Sequence, residues 1–236
     1  MQVLRTSGLS FAKNARMAST VAGSIVESSK WLPYKNAIKC SEEKVHFNYK
    51  DLINNSRCFA NGLYEMALQP GDSFAVWTDN ISENIVSYYA CAMAGIKMVA
   101  IDPSLNNQEQ LAHILSETGA KALLYSPSLN KTLVNRDDII AELFPSVKNA
   151  SDLIMKSPIK SRKFNKLSHI LTTSFDHPTL NGVINFRSTL INHPYPDYLK
   201  SVLPRLEQEP ERPLFISYAI KNNDVIKVYI NEDIFF

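Results

Sequence analysis

The chain has 236 residues, of which 45% are apolar, and this is enough to bury the core of one or two ordinary domains. Its 25 basic and 23 acidic side chains give a formal net charge of only +2, so we expect no basic stripe and no binding to nucleic acid. We expect no transmembrane segment either, because Lys97 interrupts the longest apolar run before it reaches the ~18 residues that a membrane span requires.

The N-terminal segment has the composition of a mitochondrial presequence. It is rich in serine and threonine and contains no acidic residue before Glu27. Its basic residues are Arg5, Lys13 and Arg16. A merely disordered basic N-terminus is the alternative. We expect residues 1–17 to be removed after Met17, and the protein to lie in the mitochondrion, in the matrix or at the matrix face of the inner membrane.

Three amphipathic helices alternate with three apolar strands in the middle of the chain. The predicted helices are KDLINNSRCFANGLYEMALQ (50–69), SENIVSYYACAMAG (82–95) and QEQLAHILSETG (108–119). The predicted strands are FAVW (74–77), MVAI (98–101) and KALLY (121–125). Continuously apolar strands that alternate with helices are typical of a parallel sheet. The sequence therefore predicts an α/β fold, a mostly parallel sheet with helices on both faces, followed by a less regular C-terminal part.

The domain boundaries follow from where this alternation weakens. We assign residues 18–155 to the α/β domain, and its last helix is predicted in NRDDIIAELFPSVKN (135–149). Residues 156–213 form an irregular, proline-rich connector, and we expect it to contain one short strand and one short helix.

The order of several motifs resembles the N-terminal subdomain of the AMP-forming acyl-CoA synthetases and related adenylating ligases. These motifs are FNYKDL, LQPGDSFAVWTDN, a helix that ends in AMAG, and AIDPSLNNQEQLAHILSETGAKALLY. The resemblance covers about residues 30–126, and none of these motifs is catalytic in the family. Each has a structural reason, since the Pro-Gly-Asp turn reverses the chain, and Gly95 and Gly119 permit positive φ at helix ends.

The resemblance implies that PLFISY leads into a phosphate-binding loop that is rich in glycine and ends in Pro-Lys-Gly. The corresponding stretch, AIKNNDVIKV, contains no glycine and carries an acid, Asp224. Only Lys227 keeps its register, so it is the one candidate for a nucleotide-binding residue. Residues 214–236 are therefore interpreted as a remnant of the loop strand and of the helix that follows it. A second placement puts the loop at TTSFDHPTLNG (172–182), where Thr173 and Ser174 match but no lysine does.

The remaining candidate side chains favour structural roles. We expect the acidic pairs Glu42-Glu43 and Asp137-Asp138 to be solvated, and His113 to lie on a helix surface. Cys58 and Cys91 are expected in the core of a protein from a reducing compartment. The sequence shows no ligand spacing for a metal and no catalytic set, so it predicts neither a metal nor a cofactor.

The sequence therefore favours a protein that is not an enzyme. We interpret it as a non-catalytic mitochondrial descendant of an acyl-CoA synthetase that acts through a protein partner, as an assembly factor or accessory subunit. The alternatives are a residual binder of nucleotide, acyl-CoA or fatty acid, and a product without a stable role. We also expect the apolar sheet to be covered by the connector or by another protein, with contacts of a stable assembly concentrated in residues 186–236.

Overall fold

A computed structural model describes residues 21–41, 43–127, 135–148, 159, 161–174, 180, 182–192, 215–221 and 224–230. The predicted presequence lies outside these ranges. The helices are α1 (Val21–Trp31), α2 (Tyr49–Glu65), α3 (Ser82–Ala94), α4 (Gln108–Thr118), α5 (Arg136–Leu143), α6 (Pro145–Lys148) and a 3₁₀ turn at Phe186–Thr189. The strands are β1 (Asn36–Cys40), β2 (Val45–Asn48), β3 (Ser73–Trp77), β4 (Lys97–Ile101), β5 (Ala122–Tyr125), β6 (His169–Thr172), β7 (Ile184–Asn185), β8 (Phe215–Lys221) and β9 (Asp224–Ile230).

Seven strands form one sheet in the order β7-β6-β5-β3-β4-β8-β9, and β1 pairs with β2 in a separate hairpin. Every pair in the large sheet is parallel except β8 with β9. The predicted α/β fold with a mostly parallel sheet is therefore confirmed.

The helices cover both faces of this sheet because neighbouring residues of each strand point to opposite sides. Phe74 and Val76 of β3 pack with α2 and α3 in one core, whereas Ala75 and Trp77 pack with α4 and α5 in the other. All five residues of β3 are buried, as are all four of β5. The part of the connector that the structure describes adds Phe164, Leu167, Leu180 and Val183 to the second core and Phe186 to the first. The chain itself thus covers these strands.

The termini of the helices follow capping rules that are visible in the sequence. Asn48, Asn107 and Asn135 each accept a hydrogen bond from a backbone N–H of the first turn that follows them. Gly95 and Gly119 end α3 and α4 in the left-handed region, with φ of 67° and 58°, as predicted.

The Pro-Gly-Asp turn does more than reverse the chain. The Asp72 carboxylate accepts a hydrogen bond from the backbone N–H of Gln69 and lies 2.6 Å from the Lys121 ammonium. The N–H of Gly71 donates to the carbonyl of Gly95. This turn therefore ties the start of β3 to the starts of its two neighbours, β4 and β5.

Two expectations for the later part of the chain need correction. The helix predicted over 135–149 divides into α5 and α6, because Pro145 lacks the N–H that a continuing helix would use and begins a new one instead. The stretch predicted as a loop remnant and a helix contains β9, which pairs with β8 from Phe215↔Ile230 to Lys221↔Asp224. Its run of β-branched residues without glycine explains the strand. The predicted helix start at residues 231–236 lies outside the described ranges.

Candidate functional site at the carboxyl edge of the sheet

The parallel strands all end at one edge, and β3 holds the central position there. The chain leaves β3 toward α3 on one face, while it leaves both neighbours, β4 and β5, toward α4 and α5 on the other face. In open α/β sheets such a change of side creates a crevice at the carboxyl ends of the strands, and ligands bind in it. The candidate site is therefore the group of polar residues that follow β3, β4 and β5.

A buried arginine organises this edge. Arg136, the first residue of α5, is only 5% exposed, and its two terminal nitrogens reach the Asp79 carboxylate at 2.9 and 3.2 Å. The same guanidinium donates to the carbonyl and hydroxyl oxygens of Ser126 and to the carbonyl of Pro103. It also lies over the Trp77 ring, 5.1 Å from the centroid. One side chain thus joins the segments that leave β3, β4 and β5.

The geometry of this pair matches what a buried charge requires. A bidentate contact with a carboxylate, together with bonds to neutral acceptors, satisfies most of the donors of a guanidinium. The aromatic face adds a cation–π contact. The Asp79 carboxylate also accepts from the Ser126 hydroxyl at 3.1 Å. Because Asp79 follows the strand FAVW and Arg136 lies 57 residues later, sequence spacing did not reveal the pair.

Asp137 corrects the expectation that its acidic pair is solvated. Its side chain is buried and accepts a hydrogen bond from the Tyr125 hydroxyl at 2.7 Å. Burial, and then the negative charge of Asp137, raise the pKa of Tyr125, so the phenol stays a neutral donor. Its neighbour Asp138 is exposed, as expected. The first turn of α5 therefore directs Arg136 and Asp137 inward.

Asp102, which follows β4, connects two strand ends. One carboxylate oxygen accepts from the backbone and hydroxyl groups of Ser104, and the other accepts from the Ile220 N–H at the end of β8. Partial burial acts to raise the pKa of Asp102, but the hydrogen bonds from Ser104 and Ile220 outweigh it, and the pKa is lowered. This explains the aspartate of the DPSLN motif as a structural anchor.

Lys227, the predicted nucleotide-binding residue, lies in β9 directly opposite Tyr218 of β8. Its ammonium is 2.5 Å from a carboxylate oxygen of Glu117 in α4 and 5.6 Å from the centroid of the Tyr218 ring. The hydrogen bond from Lys227 is the main reason that the pKa of Glu117 is lowered. Lys227 is not among the residues that Arg136 contacts, and its charge is already paired in this structure.

The alternative placement of the loop falls partly outside the described residues, at 175–179 and 181. In the part that is described, the N–H of Ser174 donates to the Thr172 hydroxyl, and the Asn185 amide donates to the Ser174 carbonyl at 2.5 Å. These bonds join the carboxyl ends of β6 and the start of the 3₁₀ turn.

The other candidate side chains have the following positions. His113 is exposed on α4, and its Nε2 atom lies 3.8 Å from Glu117, so its surface position is confirmed. Cys91 is fully buried, whereas Cys58 is only half-buried, with its thiol 3.7 Å from Asn192 Oδ1. Glu43 accepts from the backbone N–H of Ser82, and Glu42 lies outside the described residues.

Within the described ranges, no three His, Cys, Asp or Glu side chains come together in a group that is suited to hold a metal ion. No helix in these ranges has both the length and the apolar character that crossing a membrane requires.

The sequence profile of a family of AMP-binding enzymes matches residues 28–218, which contain every strand from β1 to β7 and half of β8. The chain belongs to this family. The profile thus extends well beyond residue 126, where the motif resemblance becomes weak.

Named relatives agree with this family, and a solved structure shares the fold. The chain is 28% identical over 161 residues to the mitochondrial medium-chain acyl-CoA ligase ACSF2 of Macaca fascicularis, a match of 66% of this chain and 26% of the relative. It is 27% identical over 139 residues to YngI of Bacillus subtilis, which carries the name of an acyl-CoA synthetase, a match of 59% and 25% of the two chains. A long-chain-fatty-acid-CoA ligase from Archaeoglobus fulgidus shares the fold, with a TM-score of 0.61 at 15% identity, over 90% of this chain and 36% of that one.

These names overturn the interpretation that the protein is a non-catalytic descendant and not an enzyme. The relatives are named as ligases, and they point to an enzyme family. That interpretation depended on the absence of glycines from the predicted loop and of a catalytic set from this sequence. However, the chain spans only about a quarter of the length of these relatives, so the lack of those elements carries no conclusion.

Proposed function

We propose that this chain forms the N-terminal part of an acyl-CoA ligase that activates a fatty acid by joining it to AMP. The observation that carries this proposal is the family match over residues 28–218, which runs through the parallel sheet. The names of the relatives support the substrate class, and we propose a medium-chain acid such as octanoate.

The proposed reaction has two steps. A carboxylate oxygen of the acid attacks the α-phosphorus of ATP, an acyl–AMP anhydride forms, and pyrophosphate leaves. The thiol of coenzyme A then attacks the acyl carbon and loses its proton, the thioester forms, and AMP leaves. Neither step requires an oxidant or a reductant, and the energy comes from the phosphoanhydride of ATP.

In this proposal the chain supplies one side of the ligand-binding crevice, at the carboxyl edge of the sheet. The Arg136 pair with Asp79 and the Asp102 bridge to Ile220 hold the ends of β3, β4, β5 and β8 together. We keep Lys227 as the proposed nucleotide contact, and this role requires that the nucleotide phosphates displace Glu117 from its ammonium.

We also propose that the protein works in the mitochondrion, in the matrix or at the matrix face of the inner membrane. The acid-free N-terminus and the mitochondrial names of several relatives support this location. A stable assembly through residues 186–236 remains part of the proposal. It is supported by β9, an outer strand of the sheet on which Ile226 and Val228 are exposed.

The test is a ligase assay on the protein isolated from its own mitochondria with whatever accompanies it. The sample receives ATP, coenzyme A and octanoate, and octanoyl-CoA, AMP and pyrophosphate are measured. We expect equal amounts of the three products, and we expect the thioester to disappear when ATP or coenzyme A is omitted. A sample that forms no octanoyl-CoA, with octanoate or with shorter and longer acids, would refute the proposal.

A further inference from the structure

The last residue of α1 and the turn that leads from it to β1 expose three large apolar side chains. Trp31 and Tyr34 are each 76% exposed, and Leu32 is 49% exposed. The described residues contain five exposed side chains of this size and kind, so three of the five fall within four positions. Single exposed apolar residues are normal on a protein surface, but such a concentration indicates an interaction site.

The backbone of this turn is held in place. The N–H of Leu32 donates to the Ser28 carbonyl at the end of α1, and the N–H of Lys35 donates to the Leu32 carbonyl. The N–H of Lys50, in α2, donates to the Pro33 carbonyl. The indole N–H of Trp31 donates to Glu27 at 2.8 Å. The backbone that carries the exposed aromatic rings is therefore held by hydrogen bonds to α1 and α2.

Basic side chains surround the exposed rings. Lys35 and Lys50 are exposed, and the Lys50 ammonium lies 5.7 Å from the centroid of the Tyr34 ring. Neither makes an ion pair with a residue in the described ranges. The Lys30 ammonium lies 3.2 Å from the Glu27 carboxylate and compensates its charge. Asp51, which follows Lys50 in the sequence, is an exposed acid. We name the group of Trp31, Leu32, Tyr34, Lys35 and Lys50 the aromatic turn.

The residue types of the aromatic turn bear on whether its partner is a protein or a membrane. The buried centres of protein–protein interfaces are depleted in lysine. Tryptophan and tyrosine with lysine beside them are typical of the boundary between membrane headgroups and acyl chains, where the rings are half-solvated and the ammonium groups meet phosphates.

We propose that the aromatic turn binds the surface of an anionic membrane. Trp31, Leu32 and Tyr34 enter the headgroup region, and Lys35 and Lys50 contact lipid phosphates. The inference goes beyond the proposed ligase activity and does not depend on it, because none of these five residues belongs to the candidate site and the experiment measures binding without turnover.

The test uses the full chain with vesicles of phosphatidylcholine alone and with about 30% phosphatidylglycerol. We expect sedimentation with the anionic vesicles and little with the neutral ones. The variant W31S/Y34S should bind about tenfold more weakly, and K35A/K50A should show a weaker preference for anionic lipid than the wild type. The matched control is I226S/V228S, which removes exposed apolar side chains from β9 and should bind like the wild type. All variants keep the same basic N-terminus, so their differences report the turn alone.

Tryptophan fluorescence gives an independent readout, because the chain has two tryptophans and Trp77 is fully buried. Anionic vesicles should shift the emission of the wild type to shorter wavelength. The variant W31F should still sediment with the vesicles but lose this shift. Unchanged binding of W31S/Y34S, or a full shift in W31F, would overturn the proposal. A dimer in solution that W31S/Y34S converts to a monomer, without vesicle binding by the wild type, would assign the surface to a second copy instead.

Discussion

The Arg136 guanidinium holds the Asp79 carboxylate in two hydrogen bonds, of 2.9 and 3.2 Å, across the carboxyl ends of β3 and β5. The arginine side chain is 6% exposed and the aspartate side chain 26% exposed, so the pair is largely removed from water. A buried pair of this kind contributes little compared with two apolar side chains, but removal of one member leaves the other charged and unpaired.

The substitution Asp79→Ala should therefore destabilise the protein by about 3 kcal/mol, and Arg136→Ala by a similar amount. The double variant should be less destabilised than the sum of the two, with a coupling of about 1–3 kcal/mol. Urea denaturation at neutral pH measures all four proteins of this cycle.

The control is Glu27→Ala, which breaks an exposed pair with Lys30 and should leave the denaturation midpoint unchanged. If the effects of the Asp79 and Arg136 variants add without coupling, the pair does not hold this edge together.

Gly62 allows α2 to approach the 3₁₀ turn closely. A Cβ atom at this position would lie 1.9 Å from the Thr189 carbonyl oxygen, a distance that no neighbouring backbone can accommodate without moving. Replacement of an exposed helical glycine by alanine usually stabilises by about 1 kcal/mol. Here Gly62→Ala should instead destabilise by about 3 kcal/mol or prevent folding.

The comparison variant is Gly119→Ala. The nearest atoms to its Cβ would be those of the flexible Lys166 side chain, the first at 3.2 Å, but φ is positive there, so the loss should be about 1–2 kcal/mol. Thermal denaturation of the two variants should place Gly62→Ala well below Gly119→Ala. The reverse order would contradict the packing of α2 on the 3₁₀ turn.

The lowered pKa of Asp102 predicts a pH dependence of stability. Because the folded state favours the ionised carboxylate, the unfolded chain binds more protons at acidic pH, and this raises stability with increasing pH. The stabilisation is present above the ordinary aspartate pKa of about 4 and is lost as pH falls through the lower folded value. The variant Asp102→Asn should have a smaller loss of stability between pH about 5 and 2 than the wild type.

Urea denaturation across that range measures the slope. Asp138→Asn, at an exposed carboxylate, provides the control for loss of a charge. A slope that Asp102→Asn leaves unchanged would show that the bonds from Ser104 and Ile220 do not stabilise the charged form.

Lys227 and Glu117 test the proposed nucleotide contact by opposite effects. If the phosphates of ATP take the ammonium from Glu117, Lys227→Ala should raise the KM for ATP about tenfold, and Glu117→Gln should lower it. Lys221→Ala, at an exposed lysine of the same hairpin, should change nothing. A merely structural pair would make both substitutions act in the same direction, through stability.

The central α/β units were predictable because local pattern and burial agree there. The strands at Phe74, Met98 and Ala122 are continuously apolar, and the glycines at the ends of α3 and α4 mark where each helix terminates. Hydrophobic periodicity and capping residues are local signals, so a single sequence is enough to recognise them.

The site was not predictable in the same way. Arg136 and Asp79 are distant in sequence, and their contact exists only because the topology brings the ends of β3 and β5 together. Asp137 looked like a solvated acid, but the rotation of α5 turns it toward Tyr125. The strand β9 was mistaken for a loop and helix because the family resemblance was given more weight than its β-branched residues.

The most direct measurement for the central claim follows oxygen from the fatty acid. The native protein, isolated from mitochondria, is incubated with ATP, coenzyme A and octanoate labelled with ¹⁸O in its carboxylate, and the products are analysed by mass spectrometry. Because the carboxylate oxygen bonds to the α-phosphorus in the proposed reaction, AMP should carry one ¹⁸O atom for each octanoyl-CoA formed. Label in inorganic phosphate with ADP as the product, or no labelled AMP at all, would contradict the assignment of this chain to an AMP-forming ligase.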